Sequence, residues 1–220
     1  MSLIVTSDYA LQQVEPPALP FATPVYNEQY QNQLNNVLRL YFNRLNNIIN
    51  QLQTGSGSID GSGLRLPYGA FSSNQSQSTP ANTATVMTLN TTDFSYDVGL
   101  DIGSKIKVTK AGIYNLQFSI QAQNSDTQLH DMSIWLKQNG TDFTGSTGFI
   151  SIPNSHGGVD GHGIYGWNYY LSMAADDYVQ LYWSVTNTAV PIPFYAASTG
   201  PPRPSTQSVV ATLTFVSALP

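Results

Sequence analysis

Beyond Leu64, apolar and polar positions alternate with a period of two. In GIYNLQFSIQAQ, Tyr114, Leu116, Phe118, Ile120 and Ala122 alternate with Asn115, Gln117, Ser119 and Gln121. Successive side chains of a strand point to opposite faces, so this pattern predicts one buried and one wetted face. DYVQLYWSV sets Val179, Leu181, Trp183 and Val185 against Gln180, Tyr182 and Ser184, and SVVATLTFVS repeats the alternation near the C-terminus. MSIWLKQNGT predicts a strand entering a turn at Asn139–Gly140, a dipeptide that supplies the positive φ of a tight hairpin. No helical window interrupts residues 64–220, and Gly, Asn, Asp and Pro punctuate the strands. The pattern predicts a mostly β fold, a C-terminal sandwich or jelly roll.

The period changes before that point. Leu34, Leu38, Tyr41, Leu45, Ile48 and Leu52 are spaced four, three, four, three and four residues apart, an a/d seam over about three heptads. Val37 and Ile49 widen the stripe, as expected where more than two helices share a core. The rest of residues 27–53 is largely Asn and Gln, 13 of 27 positions. An isolated helix of this length is marginal in water, so its seam needs a cover. The run TGSGSIDGSG at 54–63 reads as a flexible linker that separates the helix from the domain at 64–220. That favours self-association of the helix, expected as a homotrimer, over packing on its own domain.

Residues 1–26 carry prolines at 16, 17, 20 and 24, which fix φ and remove backbone donors. An extended arm is expected. Its apolar side chains, Leu19, Phe21, Val25 and Tyr26 among them, are too few to bury one another. They are the expected anchor on a partner protein, with an arm folded back on its own domain as the alternative.

Composition narrows the function. Apolar residues make up 41% of the chain, enough for a core, and charged residues only 10%, well under the roughly 25% of soluble domains. Such a surface is wetted by neutral amides and hydroxyls. A net charge of −5 with eight Lys and Arg offers no cation cluster for phosphates, which argues against nucleic acid. There are no cysteines, so disulfides, thiolate zinc and a cysteine nucleophile are excluded. Met1–Ser7 lacks the basic and apolar regions of a signal peptide, and no stretch is long enough to span a bilayer. Synthesis in a host cytoplasm, without membrane insertion, is expected.

The strings LPYGAF (66–71), TATVMTLNTTDFS (83–95), KAGIYNLQFSIQAQ (110–123), SIWLKQNGTDF (133–143), WNYYLSMAADDYVQLYW (167–183) and RPSTQSVVATLTF (203–215) resemble the jelly-roll domain recurrent in tailed-bacteriophage virion proteins. Those domains are similar in turn to the trimeric heads of complement and tumour-necrosis-factor proteins. Gly112–Tyr114 and Ala175–Leu181 match the family's two core strands, although Ala174–Asp177 lacks the family's usual glycine before the aspartate. The string YNEQYQNQLNNVLRLYFNRLNN (26–47) also looks like helices that precede such domains. The resemblance covers about 157 residues and implies a ten-strand jelly roll in a threefold assembly on a virion surface.

Catalytic chemistry is not evident. The two glutamates, Glu15 and Glu28, lie outside the β region, and the eleven aspartates sit mostly at turns. A glycosidase needs two carboxylates flanking one bond, and no pair stands out. No cofactor is implied. Two weaker constellations remain. His156, Asp160 and His162 fall within seven residues among glycines and are a candidate metal set, competing with a plain Gly-rich loop. Tyr165, Trp167 and Tyr170 are candidate sugar-stacking residues, but alternation places Tyr165, Trp167, Tyr169, Leu171 and Met173 on one face, which suits a core or subunit-contact strand.

The expected function is that of a non-enzymatic structural protein of a bacteriophage particle. The leading form is a homotrimeric capsid decoration, a cement or head-fibre protein gripping capsid subunits through residues 1–26. The alternative is a tail-fibre or receptor-binding protein, anchored on tail proteins, whose head touches a host surface glycan. A free carbohydrate-binding module leaves the helix and arm unexplained. The short shaft favours decoration, since a fibre that must reach a host needs more length.

Overall fold

The computed structural model describes residues 16–21, 24–53 and 66–219, with side chains given to residue 49 in the second segment. The chain divides into two units, Met1–Arg65 and Leu66–Pro220. The expected linker at 54–63 lies outside the described residues.

In the first unit, α1 spans Glu28–Gln53. Asn27 starts it: its Oδ1 accepts hydrogen bonds from the backbone N–H of Gln29 (2.8 Å) and Tyr30 (3.2 Å), satisfying two of the first turn's orphan donors.

The second unit is all β. Its strands are β1 (Tyr68–Ser73), β2 (Thr85–Val86), β3 (Thr91–Tyr96), β4 (Val98–Asp101), β5 (Lys105–Val108), β6 (Gly112–Asn124) and β7 (His130–Gln138). They continue as β8 (Thr141–Asp142), β9 (Gly148–Ile152), β10 (Gly161–Met173), β11 (Tyr178–Val185), β12 (Ser198–Thr199), β13 (Pro202–Arg203) and β14 (Val209–Ser217). One sheet runs β10-β6-β14-β1-β3. The other runs β4-β5-β11-β7-β8, with β2 also on β11 and β9 also on β7, and β12 with β13 forms a separate ribbon. All these named strand pairs are antiparallel. This is a jelly-roll sandwich, as expected, though with sheets of five and seven strands it exceeds the ten implied by the resemblance. Two of its strands, β2 and β8, are only two residues long.

The core fills the space between the sheets as the alternation requires. Tyr114, Leu116, Phe118, Ile120 and Ala122 of β6 are buried, and so are Val179, Leu181, Trp183 and Val185 of β11 and Met132, Ile134 and Leu136 of β7. Each such aliphatic or Phe side chain stabilises the sandwich by about 1.5–3 kcal/mol. Gln180, on the polar face of β11, is nevertheless buried, and its amide donates to the Gly103 carbonyl at 2.7 Å. At the hairpin joining β7 to β8, Asn139 (φ 51°) and Gly140 (φ 81°) both adopt positive φ, the two-residue turn that the dipeptide predicts. In the turn at Ala174–Asp177, Asp176 takes φ 69°, and Asp177 closes the turn by accepting from Ala174 N at 2.8 Å.

Chain entry orients the five-stranded sheet. Phe215 N donates to Pro67 O at the start of β1, while Ser73 at the other end of β1 pairs with Val209, which faces Ile120. The sheet therefore has an entry end near Ile113 and Ser217, and a far end near Gln121–Asn124 about 25 Å away.

Candidate functional site

The 156–162 segment does not gather its imidazoles and carboxylate. His156 and Val159 exchange backbone hydrogen bonds at 2.9 and 3.1 Å across Gly157 and Gly158, both at positive φ. The glycines are there to make a two-residue turn, not to wrap an ion. His156 is exposed on that turn, Asp160 accepts a hydrogen bond from the Gln123 amide, and His162 Nδ1 lies 3.2 Å from the Tyr195 hydroxyl. Among the described residues no three His, Asp or Glu side chains form a group that could hold a metal. The metal reading of His156, Asp160 and His162 is corrected accordingly.

The aromatic run on β10 is split by the pleat. Tyr165, Trp167 and Tyr169 pack against the core: Trp167 meets Phe118 edge to face, and the Tyr169 hydroxyl donates to Ser146 O at 2.8 Å. Tyr170 alone of the three sugar candidates is turned outward, 61% exposed. Tyr165 and Trp167 are therefore not a stacking surface, because alternation commits them to the interior.

What converges instead is a set that sequence spacing did not suggest. At the far end of the five-stranded sheet an open groove of about 590 Å³ is lined by Gln121, His162, Gly163, Ile164, Tyr195, Arg203 and Thr206. β6 and β10 supply one wall through the pairs His162–Gln123 and Ile164–Gln121. The loop from Asn187 to Ser208 supplies the other. Tyr195 and Thr206 clamp its base with two backbone hydrogen bonds, 3.1 and 2.8 Å. The Tyr195 hydroxyl donates to Gln123 Oε1 at 2.9 Å, and the Gln123 amide in turn donates to Asp160. Burial, then the Asp160 charge, raises the Tyr195 pKa, so the phenol stays protonated as the donor this relay needs; the nearby Arg203 charge opposes that shift. Arg203 lies over the Tyr195 ring, 5.2 Å from its centre, and donates to Ala196 O at 3.0 Å. The cue available in sequence was slight: Arg203 is the one arginine beyond Leu66, near a tyrosine in a proline-rich loop.

The two sheets present different outer faces. Outward positions of β6, β10 and β14 include Asn115, Gln117, Ser119, Asn168, Tyr170, Thr212 and Thr214, with no Asp, Glu, Lys or Arg. Val210, Ile164 and Tyr170 are exposed there. The seven-stranded sheet carries Lys105, Lys107, Asp131, Lys137 and Asp142, with ion pairs Lys107–Asp176 (2.9 Å) and Lys137–Asp142 (3.4 Å).

Along α1, Leu34, Leu38, Tyr41, Leu45 and Ile48 share one side, and none of them is buried within a single chain; Phe42 and Ile49 beside them are 58% and 41% exposed. The side chain of Leu52 lies outside the described residues. In the arm, Leu19, Phe21, Val25 and Tyr26 are exposed, Phe21 at 96%. Among the described residues no helix is long and apolar enough to cross a membrane.

The aspartates of the sandwich serve local structure. Asp101 accepts from Ile102 N, Asp126 from Thr127 N, Asp131 from Ser151, Asp142 from Trp135 and Asp177 from Asn139. His130, at the start of β7, pairs with Asp126 at 2.8 Å.

Among solved structures the chain is similar to the globular domain of the zebrafish complement 1qA protein, at a TM-score of 0.42 and 13% identity, covering 70% of this chain and 100% of that one. No family model and no curated protein matches it.

Proposed function

We propose that this chain is a non-enzymatic, homotrimeric structural protein displayed on a bacteriophage particle, its jelly-roll head carried by a three-helix stalk and its N-terminal arm gripping the particle. The observation that carries the assembly is α1. Leu34, Leu38, Tyr41, Leu45 and Ile48 form an apolar line that one chain leaves half-buried, and neighbours presenting the same line complete its burial. The uncharged outer face of β6, β10 and β14 around Asn115, Gln117, Asn168, Thr212 and Thr214, away from the groove, adds support, because charged side chains are depleted where interfaces are fully buried. The exposed Leu19, Phe21, Val25 and Tyr26 are the groups an anchoring arm uses. The virion assignment rests on the resemblance of residues 64–220 to phage jelly-roll domains.

Capsid decoration is the leading form, because the stalk of 26 residues, about 39 Å long, is too short to be a fibre shaft. Full-length protein is expected to bind undecorated capsids saturably, whereas a chain beginning at Asn27 is not. Binding that survives removal of the arm overturns the anchor. One observation favours the second form, a receptor-binding head: the sandwich carries an open groove lined by polar and apolar side chains, Gln121, His162, Ile164, Tyr195 and Arg203 among them. Labelling intact virions to find the protein on shell or tail decides between them.

A further inference from the structure

The groove at the far end of the five-stranded sheet is built before any ligand arrives. Its key side chain is Arg203. Among the described residues it makes no ion pair; it donates to the Ala196 carbonyl and lies over the face of Tyr195. A guanidinium stacked on a ring and tethered through one nitrogen keeps its planar fork oriented, which suits bidentate capture of a carboxylate. The acid nearest in the network, Asp160, is held by the Gln123 amide and does not line the groove.

The other wall residues are neutral. Gln121 and Thr206 offer amide and hydroxyl groups, His162 an imidazole, and Ile164, 70% exposed, an apolar patch beside the Tyr195 ring. Hydrogen-bonding groups beside apolar surface match the hydroxyls and C–H faces of a pyranose, whereas a bare inorganic anion has no use for Ile164. The volume, about 590 Å³, lies in the ordinary range for small-molecule sites. The Tyr195–Thr206 clamp and the Tyr195–Gln123–Asp160 relay fix the walls, so little ordering remains on binding.

We propose that this groove binds a sugar residue bearing a carboxylate, with Arg203 taking the carboxylate and Gln121, Thr206 and His162 the hydroxyls against Ile164 and Tyr195. The site is built within one sandwich and stands or falls independently of the protein's place on a particle.

The test titrates the full-length chain calorimetrically, and by saturation-transfer NMR, with methyl glucuronide, N-acetylneuraminic acid, methyl glucoside and inorganic phosphate. At least one acidic sugar is expected to bind saturably in the millimolar range or tighter. Methyl glucoside and the variant Arg203→Gln are each expected to weaken binding by about tenfold or more, while Tyr170→Ala, near the entry end, leaves it unchanged. Arg203 is exposed, so its replacement leaves the fold intact, which circular dichroism checks. No saturation by either acidic sugar, equal binding of methyl glucoside, unchanged binding by Arg203→Gln, or displacement of the sugar by phosphate at equal concentration would each overturn the proposal.

Discussion

Trp167 and Phe118 face each other across β10 and β6, their ring centres 4.8 Å apart at 64°. The indole also covers Gly148, where an added Cβ would come within 2.4 Å of the ring. An edge-to-face pair of this kind adds to the area that both rings bury. Trp167→Ala is therefore expected to destabilise the sandwich by about 3 kcal/mol in urea denaturation, with binding of acidic sugars retained at temperatures where the variant is folded. A loss under about 1 kcal/mol contradicts the core assignment.

Gly161 begins β10 where the strand crosses Pro153. A Cβ there would lie 1.9 Å from the Pro153 carbonyl oxygen, and backbone cannot move aside as a side chain does. Gly161→Ala is expected to cost about 2 kcal/mol or more and to lower the melting temperature. Because His162 follows directly, the same change should weaken ligand binding in the groove. An unaltered melting temperature contradicts this close approach.

The Asp126–His130 pair predicts an acid-sensitive contribution. The hydrogen bond from His130 holds the Asp126 carboxyl below its ordinary value, with backbone N–H groups assisting and burial opposing. A carboxylate depressed in the folded state stabilises it above the unfolded value, about 3.9, and that stability fades as pH falls through the folded value. Asp126→Asn keeps an oxygen for the Thr127 N–H and removes the charge. Its stability curve should run below wild type at neutral pH and converge with it in strong acid; parallel curves down to acid contradict the pairing.

Gly140 tests the hairpin. At φ 81° an alanine is strained, so Gly140→Ala should cost about 1–2 kcal/mol, while Asn139→Gly, at φ 51°, should be tolerated. Chemical denaturation of both variants checks the order, and the reverse order contradicts the turn.

Much of this was legible because strand periodicity needs only near neighbours. Tyr114, Leu116 and Phe118 against Asn115 and Gln117 fixed the faces of β6, and the same rule put Tyr165 and Trp167 inside. Asn139–Gly140 announced its turn through one dipeptide. The 156–162 segment misled because glycines that permit ion binding also permit a two-residue turn, and only backbone pairing of His156 with Val159 distinguishes them. The groove was hidden for another reason. Tyr195 lies 33 residues from His162 and 72 from Gln123, and the sheet register that joins them is a long-range property absent from any local pattern.

The central claim is that sister chains cover the α1 seam. Sedimentation equilibrium of the full-length protein measures it directly. The account predicts three times the chain mass of 23.9 kDa, falling toward a single chain in Leu45→Asp. A wild-type protein that stays at one chain mass at micromolar concentration, or a Leu45→Asp variant of unchanged mass, contradicts it.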